Sequence, residues 1–220
     1  MNKCLIHRFE GEFNLYAEWD SPQWETIPSI RLENRILTNP SFLPKTELKI
    51  MYDDNHIYVF FKVEDRYVRA VNTEINSPVS NDSCVEFFFT PNEDINSGYF
   101  NLEVNCGGTP LIRFQKSQKV GEIHMDIKDI KKIKIDHSLP RVVDPEIKNP
   151  VIWTLKYSIP LAMLNKYYSL QMPKKGVTWH ANFYKCGNET SNPHYLAWNN
   201  ITHPDPHFHM PEYFGVLEFM

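Results

Sequence analysis

The sequence predicts an all-β protein: a two-sheet antiparallel β-sandwich, jelly-roll-like, with one or two short helical turns. Three observations carry that expectation. Apolar and polar residues alternate with a period of two in segment after segment, and a strand points successive side chains to opposite faces. Sixteen prolines are spread along the 220 residues, which suits many short strands joined by turns. Helical spacing is scarce. Sandwiches of this length commonly form a single unit, and the chain shows no internal repeat or low-complexity linker, so residues 1–220 read as one domain.

The elements follow in order. "ELKIMY" and "IYVFFKV" flank the turn signal "MYDDNH" and read as a hairpin. In the second strand Ile57, Val59, Phe61 and Val63 point one way, and Tyr58, Phe60, Lys62 and Glu64 the other. "CVEFFFT" gathers Val85, Phe87 and Phe89 on one face, with Glu86 opposite. "YFNLEVN" sends Phe100, Leu102 and Val104 inward, with Glu103 and Asn105 outward. "VIWTLKYSI" alternates Trp153, Leu155, Tyr157 and Ile159 with polar residues. "VTWHANFY" does the same with Val177, Trp179, Ala181 and Phe183 against His180, Asn182 and Tyr184, and "FGVLEF" closes the chain. "IPLAMLNKYY" suits one or two helical turns after Pro160. "DIKDIKKIKI" is ambiguous, because Ile127, Ile130 and Ile133 are three apart while Ile133 and Ile135 alternate. Two sheets packed face to face, with lysines keeping the edges soluble, accommodate all of this.

Composition narrows the function. Hydrophobic residues make up 42% and aromatics 14%, enough for a sizeable core. The net charge of −4 argues against nucleic acid, whose phosphates need a basic surface. No apolar run is long enough to span a membrane. "MNKCLIHRFEGEF" lacks the apolar stretch of a signal peptide, so the expectation for the chain as it stands is cytoplasmic. A secreted protein whose leader had been removed would read the same. Cys4, Cys84, Cys106 and Cys186 never form the short pairs of a structural zinc site and are too few for a disulfide scaffold, so buried reduced thiols are expected. Asn-x-Ser/Thr tripeptides at Asn81, Asn188 and Asn200 are of a kind common by chance.

Four segments, in this order and spacing, resemble a known family: "YDDNHIYVFFKVED", "NDSCVEFFFTP", "YFNLEVNCGG" and "HFHMPEYFGVLEF". Together they look like the family 9 carbohydrate-binding module, within the wider DOMON-like sandwiches, over roughly Arg31 to Met220. The resemblance implies a β-sandwich that binds oligo- or polysaccharide, often beside glycoside hydrolase domains, with structural calcium in some members. It implies a sugar slot between two tryptophans, rimmed by acids and amides. Residue by residue, Glu86 matches the Val-Glu acid, Asn105 the Val-Asn amide, Glu103 the position beside it, and Asn182 an amide on the later strand. Phe208 falls at the second tryptophan, six residues before Phe214. The first tryptophan is expected just before Asp82, where "SPVSND" offers no aromatic.

Sugar binding has its own physics. A pyranose lays an apolar face on an aromatic plane and offers a rim of hydroxyls to carboxylates and amides. Phe208, Trp198 and Tyr184 are candidate platforms, and Glu86, Glu103, Asn105 and Asn182 candidate rim contacts. A carboxylate amid so many phenylalanines needs a partner, and Lys185, Arg113 or a ligand would serve Glu86.

Other chemistries stay open at this point. "HPDPHFH" brings His203, Asp205, His207 and His209 into seven positions, and an extended chain puts i and i+2 on one face, so a metal-dependent hydrolase is one rival. Glu86 and Glu103 would serve a glycosidase only if they flanked a cleft at about 5–9 Å. A haem-binding module is the second rival, with Met210, Met125, His124 and His194 as available axial ligands. Asp53, Asp54, Asp65 and Asp82 lie near predicted turns and suit a structural calcium ion. No nucleophile elbow, P-loop or dinucleotide fingerprint is present. The expectation is therefore a non-catalytic sugar-binding domain serving polysaccharide breakdown.

Overall fold

A computed structural model describes residues 1–37 and 39–220. Among the described residues sixteen strands form in chain order: β1 (Lys3–Arg8), β2 (Ile30–Arg31), β3 (Asn34–Arg35), β4 (Lys45–Tyr52), β5 (His56–Asp65), β6 (Val68–Ala70), β7 (Cys84–Thr90) and β8 (Tyr99–Asn105) in the first half. The second half supplies β9 (Pro110–Gln115), β10 (Ile123–His124), β11 (Lys134–His137), β12 (Val143–Ile147), β13 (Val151–Pro160), β14 (Thr178–Cys186), β15 (Tyr195–Ala197) and β16 (Gly215–Phe219). Three short helices accompany them: α1 (Pro22–Glu25), α2 (Ile127–Ile130) and α3 (Leu161–Tyr167).

The strands make a β-sandwich. One sheet runs β10-β9-β8-β7-β14-β16 and the other β4-β5-β13-β11, while β6 and β12 pair apart as a small ribbon. β1 joins the two sheets: its residues 3–6 pair with β16 and its last two with β4. Both of those pairings are parallel, an exception to the expected antiparallel scheme. Partners so distant in sequence are not joined by a tight turn, so nothing forces them antiparallel.

The period-two pattern places the core as expected. Val59, Phe61, Val85, Phe87, Leu102, Val104, Leu155 and Phe183 are all fully buried between the sheets. Phe87 stacks on Phe183 at 4.7 Å between centroids and on Phe89 at 4.4 Å. The ambiguous "DIKDIKKIKI" carries both periods because it splits into α2 and then β11. α3 begins where Pro160 suggested.

The outer faces of the sheets differ from expectation. Tyr58 and Phe60, on the outward phase of β5, are buried. The segment of residues 9–27 folds over them: Phe13 stacks on Tyr58 at 3.8 Å, and Trp19 and Trp24 meet Phe60 edge-on. Lys49 lies under this cover and donates to the carbonyls of Trp19 and Trp24, and burial lowers its pKa. Lys156 donates to the Ala17 carbonyl and pairs with Asp136 at 2.9 Å. Period-two reasoning assigns a phase to each residue but does not say what covers the second face. The outer face of the other sheet is also covered, and there the covering chain leaves a cavity.

Candidate functional site

The cavity forms over the middle of the first sheet. β7 lies between β8 and β14, and its inward phase is spent on the phenylalanine core. Its outward phase carries Cys84, Glu86 and Phe88. Register sets Glu86 opposite Glu103 on β8 and Tyr184 on β14, and sets Cys84 opposite Asn105 and Cys186. The segment leading to β16 folds back over this face. Phe214, Met210 and Ile201 pack on Phe88, Tyr99 and Tyr184 beneath it. Gly215 follows because a Cβ there would lie 2.6 Å from the Trp198 ring and 2.7 Å from the Asn2 carbonyl, which accounts for the Phe-Gly pair.

The space left is a cavity of about 180 Å³. Glu86, Glu103 and Cys186 form its floor. Phe208, with His207 and His209, forms one wall, and Leu37, Ser80, Asn188 and Tyr195 line the remainder. Phe208 is held firmly: its ring stacks on Tyr184 at 4.0 Å and 10°, and the Tyr184 hydroxyl donates to the Phe208 carbonyl at 2.9 Å. Tyr195 meets the Phe208 ring edge-on.

The floor is acidic and buried. Burial pushes the Glu86 carboxyl well above its ordinary value, with Cys186 and Glu103 adding to the shift, and burial also raises Glu103. Neither has a cationic partner within salt-bridge distance among the described residues. Arg113 pairs with Glu122 at 2.6 Å. Lys185 lies on the core phase of β14 and reaches Asp65 at 3.3 Å, away from Glu86. Both expected partners of Glu86 are thus engaged elsewhere. Glu86 instead accepts from the Cys186 thiol at 3.0 Å, and Glu103 accepts from the Asn101 amide at 3.0 Å.

Three of the seven sequence-derived site residues line the cavity: Glu86, Glu103 and Phe208. Tyr184 is fully buried beneath Phe208, so it backs the Phe208 ring and does not itself face the cavity. Asn182 is a latch: its carbonyl oxygen accepts from the Phe183 and Asn199 amides, and its Nδ2 donates to the Asn199 carbonyl. Asn105 is likewise satisfied, donating to Asp82 and the Asn72 carbonyl and accepting from the Thr109 amide. Trp198 packs on Phe183 in the core and borders a separate groove beside β1. Outward phase puts Glu86 and Glu103 at the cavity, but a buried amide on that phase is as readily used to tie loops to the sheet. The lining that sequence reasoning missed comes from loops whose approach no local pattern encodes.

Among the described residues, the histidine-rich loop does not bring three metal-ligating side chains together. His203 is exposed and accepts from its neighbour's amide, that of Asp205. His207 and His209 do share a face, as extended spacing predicts, and both line the cavity. The Tyr99 hydroxyl and the Gln115 amide converge on His209 Nδ1 at 3.0 and 3.1 Å, and burial lowers this imidazole to about 4. Among the described residues the one group of three or more metal-ligating side chains brought together is Cys84, Glu86 and Cys186. The haem candidates are dispersed: Met125 lies in the inter-sheet core, Met210 under the cavity loop, His124 on an exposed edge, and His194 against Lys185. The four calcium candidates have separate partners. Asp53 caps its own turn, Asp54 pairs with Arg8, Asp65 with Lys185, and Asp82 accepts from the Val71 and Asn72 amides. No described helix is long and apolar enough to cross a membrane.

Comparison with known proteins agrees with this architecture. A candidate carbohydrate-binding protein from Bacteroides uniformis ATCC 8492 superposes with a TM-score of 0.87 at 27% identity, over 99% of each chain. A carbohydrate-binding module of family 9 from Caldicellulosiruptor kristjanssonii, solved with cellotriose, gives a TM-score of 0.68 at 15% identity, covering 99% of this chain and 93% of that one. The same kind of module from that organism, solved with glucose, gives 0.66 at 15% identity, covering 100% and 96%. These two share the fold. A search of curated proteins finds no match. The sequence model of carbohydrate-binding family 9 matches residues 23–219, nearly the whole chain, and the protein therefore belongs to that family.

Proposed function

We propose that this family 9 protein binds carbohydrate without cleaving it, holding one sugar residue in the cavity above β7 and serving polysaccharide breakdown. The observation that carries the assignment to this cavity is its floor: two buried carboxyl groups with no cation in salt-bridge distance among the described residues, beside an aromatic ring already fixed in place. Carboxyl groups so placed gain hydrogen-bonding partners from sugar hydroxyls, and Phe208 offers a plane for the apolar face of a ring. The cavity of about 180 Å³ is smaller than the ~300 Å³ at which pockets for drug-sized ligands begin, which suits one sugar unit rather than a chain lying along a groove. Cellotriose and glucose, bound by the family 9 modules of similar fold, are the ligands to try first.

Calorimetric titration tests this. Phe208→Ala should weaken binding of the sugar that binds wild type by about 1–3 kcal/mol, by analogy with stacking on other planar ligands. Trp198→Phe, in the core beside a different groove, should leave affinity within about twofold. Equal affinities for wild type and Phe208→Ala would move the site elsewhere. Products released from the oligosaccharide during a long incubation would make the protein an enzyme.

A further inference from the structure

The cavity floor contains a second constellation, which shares Glu86 with the proposed sugar site. Cys84 and Cys186 sit directly opposite each other on β7 and β14, and Glu86 is two residues along β7 on the same face. One sulfur or carboxylate oxygen from each lies within 4.8 Å of the other two. All three side chains are buried, while Glu86 and Cys186 still border the cavity. Cys4 lies on β1 and Cys106 beyond the end of β8, whereas strand register brings Cys84 and Cys186 together.

We propose that Cys84, Cys186 and Glu86 hold one ion of the zinc class at the floor of the cavity, with the cavity supplying the fourth ligand. The donor set selects the metal. Two thiolates with one carboxylate suit zinc or cobalt, whereas calcium and magnesium take oxygen ligands throughout. The geometry is close to what is needed. Zinc–sulfur bonds of about 2.3 Å in a tetrahedron set the two sulfurs about 3.8 Å apart, so atoms already within 4.8 Å close on the ion by roughly 1 Å.

The three side chains are buried together, and an ion would take them as two thiolates and a carboxylate. Binding releases the two thiol protons and the carboxyl proton to solvent, and the dication offsets two of the three negative charges that remain. Three protein ligands and a fourth position facing a cavity make an open site, able to take water or a sugar hydroxyl. Glu86 is shared with the proposed sugar site, but the test reads the metal alone, so the failure of one reading is distinguishable from the failure of the other.

The test is a cobalt titration of the reduced full-length protein. One Co²⁺ per chain should bind with thiolate-to-cobalt charge-transfer absorption and tetrahedral d–d bands, and one equivalent of Zn²⁺ should bleach both. Cys84→Ser and Cys186→Ser should each cut the charge-transfer intensity by about half or abolish binding. Cys4→Ser should leave the spectrum unchanged. If the cysteine variants fail to fold, Glu86→Gln provides the second arm and should weaken affinity by at least about tenfold. Absence of thiolate charge transfer in the reduced wild type would overturn the site. So would cobalt binding retained in the Cys84→Ser, Cys186→Ser double variant. A cross-strand disulfide, seen as two thiols that appear only on reduction and then take up no metal, would overturn it too. Titration of glucose or cellotriose into the same variants reports on the sugar site separately.

Discussion

Glu86 sits in a place that opposes its charge. Its carboxyl is raised well above 4.5 by burial, with Cys186 and Glu103 as neighbours and no cation within salt-bridge distance among the described residues. Between 4.5 and that raised value the native state holds a proton that the unfolded chain has released. Stability contributed by Glu86 is therefore present below 4.5 and lost as pH rises through the native value. Glu86 and Glu103 face each other across β7 and β8, so the protons leave as a pair property. The buried imidazoles act in the opposite sense. His194 is lowered from 6.5 to about 3 and His209 to about 4, both by burial, so the unfolded chain binds protons that the native state excludes. Their contribution is full above 6.5 and is lost as pH falls toward those values. In a chelator, the melting temperature should pass through a maximum in weakly acidic solution. Glu86→Gln should flatten the alkaline side and leave the acid side unchanged. Melting curves for the two proteins that remain parallel from about pH 5 to 9 would mean that Glu86 is not the source of the alkaline loss.

At the scale of the element, β7 has two faces with different tasks. Its inward face packs Phe87 between Phe89 and Phe183, all fully buried, and this packing was legible from alternation alone. Phe87→Ala should cost about 3–5 kcal/mol in urea denaturation, the range for truncating a buried aromatic. A loss under 1 kcal/mol would show that the sandwich interior collapses around the gap. The outward face was legible only in part. Alternation placed Glu86 and, on β8, Glu103 on the right side, but Asn105 and Asn182 share that phase and are spent on loop contacts. The difference lies in which loop descends on each residue, and that is decided by contacts between segments distant in the chain, such as Tyr184 with the Phe208 carbonyl 24 positions on and Cys84 with Cys186 about a hundred positions on. Phe208 was identified by resemblance rather than by periodicity. Its stack on Tyr184 explains why a tyrosine stands on the outward phase of β14.

For the whole molecule, the question is what keeps two sheets in one relative position when apolar packing between them is non-directional. β1 answers at one edge, by pairing with both sheets. Across the middle, a buried ion pair does the same. Lys185 leaves β14 on the core phase and meets Asp65, the last residue of β5, at 3.3 Å. Both are fully buried. Asp65 also accepts from the Trp153 indole at 3.1 Å and from the Arg66 amide at 2.8 Å. Lys185 also donates to the Cys186 carbonyl and to His194 Nε2 at 2.7 Å. His194 accepts there because its Nδ1–H donates to the Asn192 carbonyl and burial keeps the ring neutral. Removing one partner leaves an uncompensated charge, so Asp65→Ala should destabilise by about 3–5 kcal/mol. Replacing both, as Asp65→Leu with Lys185→Met, removes the desolvation penalty along with the attraction and should restore most of that loss. A double-mutant cycle in urea measures the coupling. Singles and double that lose stability additively would mean that the two charges do not sense each other. The sheets would then be held in register by β1 and the phenylalanine core alone.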